Sequence, residues 1–234
     1  MKTLTIRLTA PLQSYGNEAT FERRTTGDYP SKSAVIGMIA AALGYSRDDK
    51  RIEQLNDLKF AVRIDQRGIT LTDFQTAHFK TVKWKEGRKV TYRDYLQDAV
   101  FVAAVGGDEA AIEQIHSALK HPHYALFLGR RANVPAGALQ MAMIDGDPVS
   151  VLSNLPWQAS KWYQKRQKNR AAFRAEIIAD ADLLPDANKT DTLVKDRAIS
   201  FASKSRQYGF LEVKTTTVEL EVKQDTEHDI MSAL

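Results

Sequence analysis

Four short segments contain clusters of side chains that could bind a polyanion. Lysine and arginine neutralise phosphates and aromatic rings stack on bases, so a basic segment with aromatic residues nearby is typical of a nucleic-acid-binding surface. One such segment alone is more often a solvated surface, and the net charge of the chain is only +4. Several in one chain favour binding to RNA or DNA. The segments are Arg23-Arg24, Lys80 to Lys89, Arg130-Arg131 and Lys161 to Arg174.

The first 44 residues contain the densest set of candidate binding residues. Apolar and polar residues alternate from Thr3 to Thr9, which predicts a strand with one buried face. Ser31 or Ser33 is placed to cap a buried helix that stops at Gly44. A strand end, a basic loop and a helix N-terminus together offer hydrogen-bond donors to an anion. The candidate residues are Gln13, Ser14, Tyr15, Gly16, Arg23, Arg24, Lys32 and Ser33.

The composition limits the class of protein. The chain has 234 residues, of which 43% are hydrophobic and 26% charged, as expected for a soluble globular protein. It contains no cysteine, which excludes disulfides, thiolate metal sites and cysteine nucleophiles. No apolar run approaches the roughly 20 residues that span a bilayer, and the N-terminus enters a strand pattern directly. We therefore expect a cytoplasmic protein that has no membrane partner.

A projecting β hairpin is predicted over about residues 78–95. Apolar and aromatic residues alternate with cationic or polar residues on both sides of Glu86-Gly87, which predicts that these two residues lie at or near the tip of the hairpin. Such a hairpin has little to bury within its own domain. We therefore expect Trp84 and Tyr92 on one face, and cations that include Lys83 on the other. A plain surface hairpin with solubilising lysines is the alternative.

The order of predicted elements indicates an α+β fold. Strands over 59–65, 99–105 and 124–128 and a helix over 109–120 follow the first strand and helix. With the hairpin inserted, this is the order of a ferredoxin-like, RRM-like unit. RNA-recognition modules use this architecture, but the fold alone does not establish RNA binding.

The chain is predicted to contain two folded parts. The first is the ferredoxin-like domain over residues 1–145, and a further strand over 139–144 precedes its end. The second is a small C-terminal β-rich subdomain over residues 146–223, with strands over 171–178, 199–201 and 210–222. Residues 224–234 form a polar, flexible tail.

Catalytic and cofactor motifs are scarce. The five histidines show no metal-ligand spacing, and no nucleotide-binding or serine-hydrolase motif is present, so we expect no metal and no cofactor. A metal-independent ribonuclease needs a general acid and base near the 2′-hydroxyl group. Lys120-His121 beside Tyr124 is the best local candidate, although a cationic helix C-cap explains these residues more simply.

The motifs and their order resemble the Cas-five (CasD) family, the RAMP subunits of the type I-E CRISPR surveillance complex called Cascade. Tyr15 departs from the family pattern, in which tryptophan is common, and residues 146–193 match least. The matching residues are Pro11, Gln13, Ser14, Tyr15, Gly16, Phe21, Arg24, Pro30, Ser31, Lys32, Ser33, Leu43 and Gly44, then Arg47-Asp48-Asp49, Phe60 to Arg63, Arg93 to Asp98, Leu128 to Arg131 and Asp196-Arg197.

The resemblance implies a non-catalytic subunit that binds the 5′ handle of CRISPR RNA and takes part in antiviral defence. Its partners would be the backbone and large subunits of Cascade, with target DNA reached indirectly through the guide. The hairpin would be the thumb that folds over guide RNA. The implied RNA-binding residues are Gln13, Ser14, Tyr15, Gly16, Arg23, Arg24, Lys32, Ser33, Lys83, Trp84, Arg93, Gly129, Arg130, Arg131 and Arg197.

Several alternatives stay open at this point. Tyr15 is also a candidate core aromatic, and Gln13 and Ser14 are candidates for a turn that is hydrogen-bonded to itself. Gly129 lets a backbone approach a phosphate, and Arg130-Arg131 can bridge phosphates, but such a doublet is common by chance. The main functional alternative is a metal-independent endoribonuclease that processes precursor CRISPR RNA, as in type I-C relatives. A generic RRM-like RNA binder is a third.

Overall fold

The structure is a computed structural model that describes residues 1–16, 22–80, 86–167, 171–185, 192–202 and 204–222. The strands are β1 (Lys2–Thr9), β2 (Leu12–Gln13), β3 (Arg23–Arg24), β4 (Lys59–Gln66), β5 (Ile69–Lys80), β6 (Glu86–Gln97), β7 (Val100–Gly107), β8 (Gln140–Asp145), β9 (Ala172–Asp180), β10 (Thr192–Ser200) and β11 (Gln207–Glu221). The α-helices are α1 (Lys32–Ala42), α2 (Arg51–Gln54), α3 (Glu109–Lys120), α4 (Pro148–Asn154) and α5 (Lys161–Arg166), with 3₁₀ turns at Leu55–Asp57 and Ala181–Leu183.

Seven strands form one antiparallel sheet in the order β10-β11-β9-β4-β7-β1-β8. Alternate residues of the central strand β7 enter two different cores. Phe101 and Val105 belong to the larger core, which includes α1 and α3. Val102 and Ala104 belong to a smaller core with Leu152 of α4. A strand with apolar residues on both faces is buried on both faces, so the predicted α+β class is confirmed.

The two long helices begin and end as their sequences predict. The Ser31 hydroxyl accepts a hydrogen bond from the Ala34 amide at the start of α1, and Gly44 lies beyond its end with a φ of +77°. Asp108 caps α3 through the Ala111 amide, at 3.0 Å. No helix among the described residues is long and apolar enough to cross a membrane.

The predicted strand over 124–128 is wrong. The edge of the sheet beside β1 is instead occupied by β8, which pairs from Lys2↔Asp145 to Arg7↔Gln140 and confirms the strand predicted over 139–144. The segment after α3 is irregular, although it is held by a hydrogen bond from the Ser14 amide to the Leu128 carbonyl. An apolar run alone does not show which of two segments pairs with an edge.

The C-terminal strands extend the same sheet. β9 pairs with β4 from Ala61↔Ala179 to Ile64↔Glu176, and β11 and β10 continue outward from β9. The boundary predicted near residue 146 therefore divides a hydrogen-bonded sheet, and two separate folding units remain a prediction. The predicted tail, residues 224–234, lies outside the described residues.

The inserted hairpin is longer than predicted. β5 and β6 pair from Ile69↔Gln97 to Lys80↔Glu86. The prediction that Glu86-Gly87 lies at or near the tip is confirmed, because Glu86 begins β6 and pairs with Lys80, the last residue of β5. The connection falls at residues 81–85, so the predicted contacts of Lys83 and Trp84 lie outside the described residues.

A buried ion pair on β4 holds the connection between α4 and α5. Arg63 and Asp65 are both fully buried, with the Arg63 Nε atom 2.7 Å from Asp65 Oδ1. The guanidinium group also donates hydrogen bonds to the carbonyl oxygens of Leu152, Leu155 and Pro156. An arginine buried in this way is tolerated only because each side of its guanidinium has an acceptor. It therefore fixes the segment that leads to α5.

Candidate nucleic-acid interface

Arginines that are far apart in the sequence meet on β6. β3 pairs in parallel with β6, which places Arg23 opposite Tyr92 and Arg24 opposite Arg93. The Arg130 guanidinium donates a 2.7 Å hydrogen bond to the Arg24 carbonyl. Two of the predicted basic segments, Arg23-Arg24 and Arg130-Arg131, therefore form one surface together with Arg93. We call it the arginine surface: Arg23, Arg24, Arg93, Arg130 and Arg131.

Two of these arginines hold the surface together. Arg130 donates to the carbonyls of Asp94, at 3.0 Å, and of Thr25, at 3.4 Å, in addition to that of Arg24. Its guanidinium carbon lies 4.5 Å from the centroid of the Tyr95 ring. Arg23 forms an ion pair with Asp94 at 3.4 Å. The Nη1 and Nη2 atoms of Arg130 therefore hold the backbone of the site, and direct binding of RNA by Arg130 stays a prediction.

The other three arginines have unused donors. Arg24 and Arg131 are exposed, and in the described part of the chain neither side chain has a hydrogen bond or an ion pair. The Arg93 Nε atom is buried and has no hydrogen-bond partner among the described residues. A buried donor without a partner costs free energy. These three residues are therefore placed to donate hydrogen bonds to phosphate oxygens.

Gly129 sets the position of the Arg130-Arg131 pair. Its φ is +89°, and a Cβ atom there would lie 1.6 Å from the Ser14 carbonyl oxygen. A side chain at residue 129 would therefore collide with the backbone that follows β2. In this structure the close approach at Gly129 is to the protein's own backbone at Ser14, and the approach of this backbone to a phosphate stays a prediction.

Gln13, Ser14 and Tyr15 are buried, which favours their structural interpretation. The side-chain amide of Gln13 donates a 2.7 Å hydrogen bond to the Ala99 carbonyl, and the Tyr15 hydroxyl donates to Gln13 Oε1 at 2.7 Å. The Tyr15 ring packs edge-on against Phe101, and burial raises the pKa of its hydroxyl. The expectation that these side chains face RNA is corrected, because their polar atoms are used inside the core. Gly16, which follows, is exposed.

The protein's own carboxylates occupy the predicted anion site at the start of α1. The amides of Lys32 and Ser33 donate to the two carboxylate oxygens of Asp196, at 2.6 Å and 3.2 Å. The Lys32 ammonium donates to Asp180 at 2.7 Å, and both side chains are buried. We call Asp180 and Asp196 the carboxylate latch. It corrects the assignment of Lys32 and Ser33 to RNA.

Burial of the two carboxylates of the latch disfavours their charged forms. Burial raises the pKa of both Asp180 and Asp196 above the usual value of 3.8, and the hydrogen bonds from Lys32 and Ser33 oppose that change. Arg197, the residue after Asp196, is exposed and lines a recess with Lys59 and Asp180. The structure therefore places Arg197 beside the latch and not on the arginine surface.

The candidate ribonuclease residues lie elsewhere. Lys120, His121 and Tyr124 are exposed, and His121 is the C-cap of α3, with its amide bonded to the Ser117 carbonyl. The Tyr124 amide bonds to the Ala41 carbonyl. In the described part of the chain, no group of three or more histidine or acidic residues is placed to hold a metal ion.

Sequence reasoning missed an aromatic pair on the hairpin. Phe74 and Tyr92 are directly opposite each other on β5 and β6, and they are 67% and 48% exposed. Arg23 is the parallel neighbour of Tyr92, so the pair adjoins the arginine surface. No local pattern indicates Phe74, which is out of phase with Ile69 and Leu71, and its pairing with Tyr92 depends on the true extent of the hairpin.

Comparisons with known proteins match this arrangement to a family. Residues 3–214 match the model of the family described as CRISPR-associated protein (Cas_Cas5). The chain belongs to this family. It is 33% identical over 148 residues to the CRISPR system Cascade subunit CasD of Escherichia coli strain K12. That alignment covers 55% of this chain and 65% of the E. coli relative.

Solved structures of CRISPR-associated proteins share the fold of this family member. A chain of a CRISPR RNA-guided surveillance complex is 31% identical, with a TM-score of 0.76 and coverage of 98% of this chain and 96% of that one. A crystal structure of a Cas protein is 26% identical, with a TM-score of 0.68 and coverage of 94% and 98%. The likeness therefore extends over nearly the whole chain.

The close approach at Gly129 predicts a large effect of adding one methyl group. We expect Gly129→Ala to lower the free energy of unfolding by about 2–5 kcal/mol, since it combines a positive φ with overpacking. Gly137 is a matched control, because its φ is +83° and a Cβ atom would meet nothing within 4 Å. Gly137→Ala should cost only about 1–2 kcal/mol. Urea denaturation measures both, and equal losses would contradict the close approach.

The buried carboxyl group of Asp196 predicts a pH-dependent contribution to stability. Its pKa is raised above 3.8 in the folded protein, so the folded state holds this proton more tightly than the unfolded state. The contribution of the protonated group is complete below pH 3.8 and is lost as the pH rises through the raised pKa. We expect the free energy of unfolding of the wild type, minus that of Asp196→Asn, to fall as the pH rises above about 4.

Asp145→Asn is the control for this measurement. Asp145 lies at the surface beside Lys2, which lowers the pKa of Asp145 below 3.8. Its titration therefore acts below that pH, and the corresponding difference should stay flat above it. Denaturation at a series of pH values gives both curves. A flat or rising difference for Asp196→Asn would show that its carboxyl group is not destabilised by burial.

Proposed function

We propose that this chain is a non-catalytic subunit of a type I-E Cascade-type complex that binds the 5′ handle of CRISPR RNA. The family match and the likeness to a chain of an RNA-guided surveillance complex support this assignment. The observation that carries it is the arginine surface, where Arg24 is paired with Arg93, Arg131 follows Arg130, which bonds to the Arg24 carbonyl, and all three have unused donors. Its partners would be the backbone and large subunits, and target DNA would be reached through the guide.

The arginine surface suits a single RNA strand. Guanidinium groups bind phosphate oxygens through paired N–H donors. The exposed rings of Phe74 and Tyr92 beside it offer faces on which unstacked bases can lie. Arg130 bonds to the backbone at Arg24 and Asp94, and Gly129 packs against the backbone at Ser14. Because this backbone is already fixed, the arginines with unused donors lose little conformational freedom when RNA binds. The handle would therefore run along β6, with phosphates on Arg24, Arg93 and Arg131.

The topology supports a ferredoxin-like assignment within this proposal. The strands β4, β7, β1 and β8 are adjacent in that order, and helices follow β1 and β7 in the chain. This is a split β-α-β arrangement. The β5-β6 hairpin joins β4 to β7 and would serve as the thumb. The β-rich part after residue 146 would form a subdomain on the β4 edge of the sheet.

The processing-endoribonuclease alternative has no comparable support. His121 serves as the C-cap of α3, and Lys120 and Tyr124 lie on the surface without a described contact to the arginine surface.

Binding of a labelled handle RNA tests the proposal. We expect Arg24→Ala and Arg131→Ala each to weaken binding about tenfold, since a charge-assisted hydrogen bond contributes roughly 1.5 kcal/mol or more. The double variant should also reduce the slope of log affinity against log salt by about 1.4, because each neutralised phosphate of a single strand contributes about 0.7. Fluorescence anisotropy of the full chain, alone and with backbone subunits, measures both quantities.

Lys50→Ala and Lys204→Ala are the matched controls, because both lysines are exposed and lie outside the proposed site. Losses of the same size in the controls would overturn the assignment of the site. The same reactions also report cleavage. A discrete product that disappears in His121→Ala, while binding is retained, would replace the proposed function with the endoribonuclease.

A further inference from the structure

The segment between Asp147 and Glu176 contains cations but no acidic residue. Basic and acidic side chains are usually interspersed on a solvated surface, so an unbalanced segment of this length is unusual. The short helix α5 lies within it. The cations of the segment are Lys161, Lys165, Arg166, Lys168, Arg170 and Arg174.

Helix α5 presents a tryptophan between cations. Lys161, Trp162, Lys165 and Arg166 are exposed, and Trp162 retains 49% of its accessible surface. Residues four apart on a helix are neighbours, so Lys161 adjoins Lys165 and Trp162 adjoins Arg166. In the described chain, none of the three cations forms an ion pair or hydrogen bond through its side chain. Their charge is available to a ligand.

The exposed ring rests on a rigid aromatic support. Tyr163 packs edge-on against Trp162, with ring centroids 5.7 Å apart, and it also contacts Trp157 and Phe173. Trp157 stacks on Phe173 at 4.4 Å. The Trp157 indole donates a 2.8 Å hydrogen bond to the Asp65 carbonyl. Trp162 is therefore pre-organised and loses little conformational freedom when a planar group stacks on it.

The helix is also fixed at its start. The Ser160 amide donates to Gln66 Oε1 at 3.1 Å, and the Gln66 side chain donates to the Asp98 carbonyl. Gln66 and Asp98 lie where the β5-β6 hairpin leaves the sheet. The Arg63–Asp65 pair holds the preceding segment, since the Gln158 amide donates to Asp65 Oδ2 at 2.6 Å. These hydrogen bonds fix the position of α5, and therefore of its cations, relative to the sheet.

We propose that Lys161, Trp162, Lys165 and Arg166 form a second nucleic-acid-binding site, which takes a single strand. A base stacks on Trp162, and the three cations neutralise the phosphates on either side. A duplex does not fit this site, because its bases are already stacked on one another. Guide RNA and single-stranded target DNA share the required chemistry. The site does not depend on the arginine surface, and it stands whether or not the 5′ handle binds there.

Binding of single-stranded oligonucleotides to the full chain tests this site separately. The background is Arg24→Ala with Arg131→Ala, which removes two donors of the arginine surface. The probes are fluorescein-labelled oligo(U) and oligo(dT) of about 15 nucleotides, which is near the upper end of typical single-strand sites, and a duplex of equal length. Binding of either single strand supports the proposal and identifies the source as RNA, DNA or both.

The variants separate stacking from charge. Trp162→Ala should weaken single-strand binding by about tenfold, whereas Trp162→Phe, which keeps a ring, should stay within about threefold of the parent. Lys165→Gln with Arg166→Gln should reduce the salt slope by about 1.4. Lys50→Gln with Lys204→Gln removes the same charge elsewhere and should change neither quantity. Far-UV circular dichroism verifies that each variant is folded.

Three results would overturn the proposal. The first is single-strand affinity that is unchanged in both Trp162→Ala and the Lys165/Arg166 variant. The second is a loss of affinity in Trp162→Ala that is as large for the duplex as for the single strands, which would indicate that binding depends on charge and not on stacking. The third is unchanged nucleic-acid affinity together with loss of co-purification with the other Cascade subunits, which would make α5 a protein interface. Failure of the wild-type chain to bind the handle, while the α5 effects persist, would reject the proposed function alone.

Discussion

The carboxylate latch joins the start of α1 to the C-terminal strands. The first amides of a helix have no partner within the helix, and Asp196 on β10 satisfies two of them at Lys32 and Ser33. Asp180 on β9 neutralises the Lys32 ammonium and also accepts from the Phe60 amide of β4. One pair of acidic side chains thus ties the first helix, the middle of the sheet and its far edge together. Its dependence on burial also makes this part of the structure sensitive to pH.

The latch has a consequence for ligand binding. A helix N-terminus with nearby cations is a common site for phosphate, but here the site already holds carboxylates. Donors that remain available to an external polyanion lie at Arg24, Arg93 and Arg131. One set of polar groups therefore maintains the fold, and a separate set has donors that the described chain does not use.

The sequence predicted the strands and helices whose patterns lie within a short stretch of the chain. The strands β1, β4 and β7 and the helices α1 and α3 follow from periodicity and from caps such as Ser31 and Asp108. The family resemblance named Arg24, Arg93, Arg130 and Arg131 as RNA-binding residues, but it did not show how they are arranged. The pairing of β3 with β6 and the hydrogen bond from Arg130 to the Arg24 carbonyl bring the segments together. Composition and spacing alone did not contain that information.

Contacts between residues far apart in the sequence determine the roles of several side chains that the sequence alone did not predict. Gln13 and Tyr15 have the side chains of a base-reading loop, yet they bond to each other inside the core beside Phe101. Lys32 looks like a free cation until Asp180, 148 residues later, is placed beside it. The role of Arg130 as a brace likewise depends on carbonyls from Arg24 and Asp94. None of these partners lies within a local window of sequence.

Photo-crosslinking tests the central claim that RNA binds the arginine surface and not the start of α1. Handle RNA with a single photoreactive thiouridine at each position in turn would be bound to the full chain, irradiated and mapped by mass spectrometry. The account predicts crosslinks to peptides that contain Arg24, Arg93 or Arg131. Crosslinks concentrated on peptides with Lys32 or Asp196 would contradict it, because the latch would then have opened to admit the phosphates of the RNA.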